Sequence, residues 1–229
     1  MPLTEGKKAL DSFVIAIDGP AGSGKSTVAK ELARRLGFAY LDTGAMYRAL
    51  TLKALRKKTN LEDESALIKL ASTTIIDLDM DEKKSLQVTL DGENVTEAIR
   101  TLEVTNNTFY IARAAGVREF MVKRQREIGS RKNVVVEGRD IGTVVFPKAT
   151  KKFYMDADFK ERAKRRIEEL KAKGKDVNDK AIAEDLKERD TKDLTRKVGP
   201  LKKADDAIVI DSTHLSIDDV VEKILGFLK

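Results

Sequence analysis

Residues 13–27 read Phe13-Val14-Ile15-Ala16-Ile17-Asp18-Gly19-Pro20-Ala21-Gly22-Ser23-Gly24-Lys25-Ser26-Thr27, and this stretch decides the fold class. The unbroken apolar, β-branched run 13–17, stopped at once by Asp18-Gly19-Pro20, is the pattern of a strand buried on both faces. Beyond the glycine-rich turn, Ala29, Leu32, Ala33 and Leu36 fall at helical spacing and Gly37 ends the pattern. The turn fits G-x-x-x-x-G-K-[ST] at every fixed position, in the strand-to-helix context that the motif requires. Its glycines let successive backbone N–H groups turn inward around phosphate oxygens, and the helix N-terminus adds a favourable dipole. Gly19, Pro20, Ala21, Gly22, Ser23, Gly24, Lys25, Ser26 and Thr27 are therefore the expected triphosphate cradle. Lys25 is placed against the β and γ phosphates, and the Ser26 hydroxyl against Mg²⁺. A turn that merely caps a helix is the blander alternative, and the flanking elements weigh against it.

Working outward, 229 residues suffice for one domain with sizeable insertions. With no Cys and a single His, His214, thiolate metal sites, histidine clusters and Cys nucleophiles are excluded, and Ser-His hydrolysis is disfavoured. His214 reads as a surface-loop residue. No apolar run approaches the length of a membrane span and no signal-peptide core opens the chain, so the expectation is a soluble, cytoplasmic protein with no membrane partner. The formal net charge is +6, but the excess is local: residues 148–203 hold 19 basic and 12 acidic residues. A local surplus of this kind points to an anionic partner, either nucleic acid or a phosphate-bearing small molecule.

The remaining pattern alternates strands with helices, which implies an α/β layer around a mainly parallel sheet. Helices are expected near 44–55, over 62–71, 101–113, 117–128, 159–173 and 179–191. Buried strands are expected at 134–136, 151–155 and 207–210, and the loop between the last two helices starts at Gly174-Lys175-Asp176. Residues 75–80 and 85–90 alternate as short half-exposed strands around the polar turn 81–84, a small antiparallel patch. Residues 1–11 read as a loose tail. A final helix opens at Ser216 with Asp219 three residues on, in the pattern of a capping box.

Arginines stand where more phosphate would sit. In Asp42-Thr43-Gly44-Ala45-Met46-Tyr47-Arg48, a Thr hydroxyl at a helix start and an Arg about one turn on form a plausible anion clamp, although an ordinary Thr43 cap with a solvated Arg48 fits as well. Arg139-Asp140 follows a buried strand at its carboxyl end, where open α/β sheets bind ligands; a turn ion pair is the alternative. Arg162, Arg165 and Arg166 share a helical face, as do Arg189, Asp193 and Arg196, and a lattice of exposed ion pairs with neighbouring acids competes with a functional reading. Phosphoryl transfer favours the functional one, because cationic side chains supply most of its stabilisation. Two Arg-bearing helices would form a lid that excludes water. The Tyr and Phe residues read as core, except Tyr47, whose place beside Arg48 sets a ring near a base.

Taken with Glu137-Gly138-Arg139-Asp140-Ile141-Gly142-Thr143-Val144-Val145-Phe146-Pro147 and with Glu188-Arg189-Asp190 followed by Asp193 and Arg196, these motifs are similar to those of the bacterial cytidylate kinases. The resemblance runs from about Phe13 to the C-terminus. It implies a P-loop kinase fold with a five-stranded parallel sheet flanked by helices, a monophosphate-binding insert carrying a small antiparallel sheet, and a helical lid. It divides the single domain 12–229 into a core (12–42, 116–157, 204–229), a monophosphate-binding region (43–115) and a lid (158–203). The implied reaction moves the γ-phosphoryl of ATP to CMP or dCMP with Mg²⁺. Thr43, Arg48 and Arg139 would hold the acceptor phosphate, Arg118 and Asp140 the cytosine edge, and Arg189, Asp193 and Arg196 the ribose and phosphates. Arg162 and Arg165 resemble lid arginines that act with Lys25 and Arg189. Where many members have a Ser near the base, Phe109 stands here, and Thr108 can substitute by a one-residue adjustment.

Rival readings are a kinase of another small acceptor, such as UMP or a non-nucleotide alcohol, and a P-loop nucleic-acid-binding protein. A GTPase is excluded because no Asn-Lys-x-Asp motif occurs. A motor ATPase needs more chain and an acidic pair after its second strand, where Glu137 is followed by Gly138 and Arg139. Against nucleic acid, the basic residues interleave with acids and no aromatic stacking motif accompanies them. A monomer is expected, since no extra apolar face stands out.

Overall fold

The alternation of side chains along the central strand builds two cores. In the computed structural model, which describes residues 12–81, 86–172, 174 and 176–228, β1 (Val14–Asp18) sends Val14 and Ala16 to one side of a sheet and Ile15 and Ile17 to the other, all buried. The first side packs against α2 (Thr43–Arg56) and the helices around it. The second packs against α1 (Lys25–Leu36) and α8 (Ile217–Gly226).

The sheet has five strands in the order β2 (Ala39–Asp42), β6 (Val134–Gly138), β1, β7 (Lys151–Asp156) and β8 (Ile208–Asp211), and every neighbouring pair runs parallel. β1 is therefore flanked by β6 and β7, so the loops that leave the carboxyl ends of these three strands share one crevice, as expected for an α/β ligand site. The short segment 39–41, too brief to show alternation, forms edge strand β2 beside β6.

Between α2 and β6 lie α3 (Glu64–Ser72), a three-stranded antiparallel sheet of β3 (Ile76–Met80), β4 (Leu86–Leu90) and β5 (Glu93–Asn94), then α4 (Leu102–Arg113) and α5 (Ala115–Gly129). The antiparallel patch read from the sequence is thus present, with β5 as an addition too short to be legible. Its turn at 82–84, like the tail 1–11 and Lys175 of the later loop, lies outside the described residues. The two Arg-bearing helices are α6 (Phe159–Ala172) and α7 (Asp179–Thr195); α7 runs a turn beyond the expected 191. The phenylalanines are not uniformly core: Phe120, Phe159 and Phe227 are 44%, 37% and 42% exposed. Among the described residues, no helix is long and apolar enough to cross a membrane.

Candidate active site

The phosphate loop closes on itself through Lys25. Its buried ammonium donates to the Pro20 carbonyl at 2.6 Å and to Ser23 Oγ at 3.3 Å. Burial, with Arg139 and Arg189 nearby, pushes Lys25 down to about 7, so an anion beside it would hold its charge. Gly22 sits at φ 76°, where a Cβ would fall 2.9 Å from the Arg162 carbonyl, so only glycine lets α6 approach the loop this closely. On the β6 side, Ser26 hydrogen-bonds Glu137, whose carboxylate also accepts from Tyr40 OH at 2.8 Å. Burial, and then the adjacent Asp42, raise the Glu137 pKa, a shift that a nearby cation would offset. Asp18 accepts from the Ile141 and Gly142 amides at 2.8 and 2.7 Å, and burial raises it to about 6. These bonds anchor a π-helical turn, Ile141–Val145, that carries the chain away after Arg139-Asp140.

Three arginines crowd towards this loop. The cap of α2 is Asp42, which accepts from Ala45 N at 2.8 Å, and not Thr43; Thr43 opens the helix and donates to the Glu137 carbonyl at 2.7 Å. The same Asp42 pairs with Arg48 at 3.0 Å, while Arg48 Nε is buried without a partner among the described residues. Arg139 pairs with Asp193 at 2.7 Å, so the alternative of a turn ion pair with Asp140 does not occur. Arg189 makes no hydrogen bond or ion pair among the described residues. Burial and the neighbouring Arg139 and Arg48 lower it to about 10, still cationic at neutral pH. Like charges gathered this way favour an anion placed between them.

A second network lies beside it. Arg118 and Asp140 form a short buried ion pair; Arg118 stacks 5.7 Å from the Tyr47 ring centroid, and Arg196 approaches Asp140 at 3.7 Å. Arg196 ends α7 and still reaches Asp193 at 3.9 Å, as its spacing suggested, while its Nε donates back to the Gly199 carbonyl at 2.5 Å. Gly199, at φ 56°, packs directly on the Arg118–Asp140 pair, where a Cβ would collide with both side chains. The Tyr47 hydroxyl is buried and unpartnered among the described residues, and burial, with Asp140 nearby, raises its pKa to about 12, so it stays a protonated donor.

From α6, Arg162 donates to the Ala21 carbonyl at 2.9 Å. Arg165 donates to the Ser212 carbonyl at 2.6 Å and pairs with Glu161, and Arg166 pairs with Glu169. The three therefore do not act as one face: Arg162 meets the phosphate loop, Arg165 the loop after β8, and Arg166 an ordinary helical neighbour.

With this geometry in place, the family model for cytidylate kinase matches residues 15–229. The cytidylate kinase of Desulforamulus reducens is 54% identical over 215 residues, 94% of this chain and 96% of that one. That of Bacillus licheniformis is 52% identical over 211 residues, 92% and 93% of the two chains. The chain belongs to the cytidylate kinase family. A solved structure of an uncharacterised protein from Eubacterium ventriosum, 14% identical with a TM-score of 0.52 and covering 95% of this chain and 98% of that one, shares the fold alone.

Within this cytidylate kinase chain, the residues singled out from the sequence fall into three neighbouring groups: the cradle with Lys25, the arginine cluster with Thr43 and Asp193, and the Tyr47–Arg118–Asp140–Arg196 network. Three acids carry roles that the sequence did not assign them. Glu137, which stood out along the chain only for its neighbours Gly138 and Arg139, joins Ser26 and Tyr40; Asp42 orients Arg48; Asp190 reaches the phosphate loop. An acid at the carboxyl end of a buried strand was the one available signal for Glu137 and Asp42. Asp190 stood only within the Glu188-Arg189-Asp190 motif, without a role of its own.

Proposed function

We propose that this member of the cytidylate kinase family transfers the γ-phosphoryl of ATP to CMP or dCMP, acting as a cytoplasmic monomer without a nucleic-acid partner. The observation that carries this reading is the convergence of Arg48, Arg139 and Arg189 with Lys25, two of the four without an acidic hydrogen-bond or ion-pair partner among the described residues, next to a buried Arg118–Asp140 pair. Gly19 to Thr27 would hold the triphosphate, with the backbone N–H groups and Lys25 on its β and γ phosphates. Thr43, Arg48 and Arg139 would hold the acceptor phosphate. Arg189, Asp193 and Arg196 would draw the two phosphate groups and the ribose together, while Arg118, Asp140 and Tyr47 would face the cytosine.

The acceptor phosphate oxygen is already anionic, so no side chain is needed as a base. That oxygen bonds to the γ-phosphorus as the bond to the β–γ bridging oxygen breaks, and ADP leaves. The charge on the moving group spreads over its outer oxygens and is met by Lys25, Arg139, Arg189 and Arg162, fixed before the reaction begins. Arg165 reaches the triphosphate only by leaving the carbonyls of Ser212 and Thr213.

A Mg²⁺ ion fits the residues present: the Ser26 hydroxyl and the Glu137 carboxylate face each other, and among the described residues no cluster of three His, Cys, Asp or Glu side chains would hold a metal without the nucleotide. Ser26 would ligate it and Glu137 would orient its shell, and the ion would supply charge neutralisation on the β and γ oxygens.

The test is an ADP-release assay across CMP, dCMP, UMP and AMP. CMP and dCMP are expected to lead; a clear preference for UMP or AMP overturns the assignment.

A further inference from the structure

The tip of the phosphate loop is held by a carboxylate. Ala21 packs against Ala163 of α6 and Leu186 of α7 in a small apolar cluster of its own, apart from the two main cores. One helical turn past Leu186, Asp190 Oδ2 meets Arg162 Nη1 at 2.5 Å, while Oδ1 accepts from the Ala21 amide at 3.4 Å. Arg162 is held from three sides: by Asp190, by the Ala21 carbonyl at 2.9 Å and, through Nε, by the Ala157 carbonyl at 3.0 Å. Among the described residues its Nη2 group has no acceptor, so one edge of the guanidinium stays free to donate.

We infer that Asp190 is a positioning residue that fixes Arg162 against the tip of the phosphate loop, with the Nη2 edge free for the triphosphate. The inference rests on the phosphoryl-transfer reading above. An arginine on an unrestrained side chain loses rotamer freedom each time it meets the reacting group; one already held by a carboxylate and two carbonyls has lost it beforehand. The carboxylate also makes α7 part of the loop's support, since the same two oxygens serve the lid helix and the loop amide. Asp190 itself need touch neither substrate, and its effect should pass through Arg162.

That dependence is testable by a double-mutant cycle on purified full-length protein, run with whichever monophosphate the wild type prefers, so a wrong acceptor assignment and a wrong role for Asp190 are separable. Asp190→Asn should lower kcat about tenfold or more, with the acceptor KM within about threefold. In an Arg162→Ala background the same change should cost less than about twofold. An equal loss in both backgrounds overturns the proposal, and so does an Asp190→Asn variant whose kcat stays within about twofold of wild type. Arg162→Lys leaves the carboxylate untouched and keeps the positive charge, but it cannot span Ala157, Ala21 and Asp190 at once. Its kcat should fall about tenfold, and a value within about twofold of wild type overturns the proposal independently.

Discussion

Lys25 shows how one residue can be tuned by what is absent around it. Its own loop offers only a carbonyl and a hydroxyl, and burial beside Arg139 and Arg189 lowers its pKa to about 7. At pH 8 the free protein therefore holds Lys25 largely neutral, whereas a bound triphosphate restores the charge. ATP binding at pH 8 is expected to take up a proton, seen in calorimetry as a binding enthalpy that differs between buffers of different ionisation enthalpy. Equal enthalpies would count against it. The sign for affinity is then set: ATP binding weakens as pH rises above 7, by up to about tenfold per unit. The same group affects stability with the opposite slope. The unfolded chain keeps its lysine proton up to about 10.5, so between pH 7 and that value the unfolded state binds more protons and the Lys25 contribution to stability rises with pH. At Gly199, left-handed backbone and contact with Arg118 and Asp140 coincide. Gly199→Ala should raise the acceptor KM about tenfold or more while ATP affinity holds, because the Cβ displaces a buried ion pair whose disruption is costly; parallel titrations of the two nucleotides decide it.

Among the elements, the local signals worked where the chain solves its own problem. The capping box of α8 is such a case: Ser216 Oγ accepts from Asp219 N at 3.1 Å, and Asp219 Oδ2 accepts from Ser216 N at 3.1 Å. Ser216→Ala should cost about 1 kcal/mol and lower Tm by roughly 2–4 °C, with activity retained; an unchanged melt would show that the cap contributes nothing. The glycine stop after α1 and the alternating β3 and β4 were legible for the same reason. The π-helical turn 141–145 was not, because it depends on acceptor oxygens supplied by Asp18 from a different strand. Nor was the end of α7 at Thr195, where Arg196 leaves the helix to bond Gly199.

At the level of the whole molecule, α7 approaches α4. Lys192 of α7 lies 5.5 Å from the ring centroid of Phe109 on α4, and Arg113 lies 5.4 Å from it. A cation over an aromatic face contributes about 0.5–1 kcal/mol at exposed sites, so the Lys192 contact favours the approach of α7 to α4. Phe109→Ala should therefore raise the acceptor KM about threefold with Tm little changed, and steady-state kinetics showing no change would remove this contact from acceptor binding. The strand–loop–helix start, the α/β class and the antiparallel patch could all be read along the chain, since each depends on neighbours within a few positions: periodicity, caps and a contiguous motif. Which arginine meets which acid could not. The pairs Arg139–Asp193, Arg118–Asp140 and Arg162–Asp190 join residues far apart in the chain, and only the parallel ordering of the sheet and the packing of α6 and α7 over the loop bring them within reach of one another. Charges act through space, so a string of residues can supply them but only the folded arrangement chooses their partners.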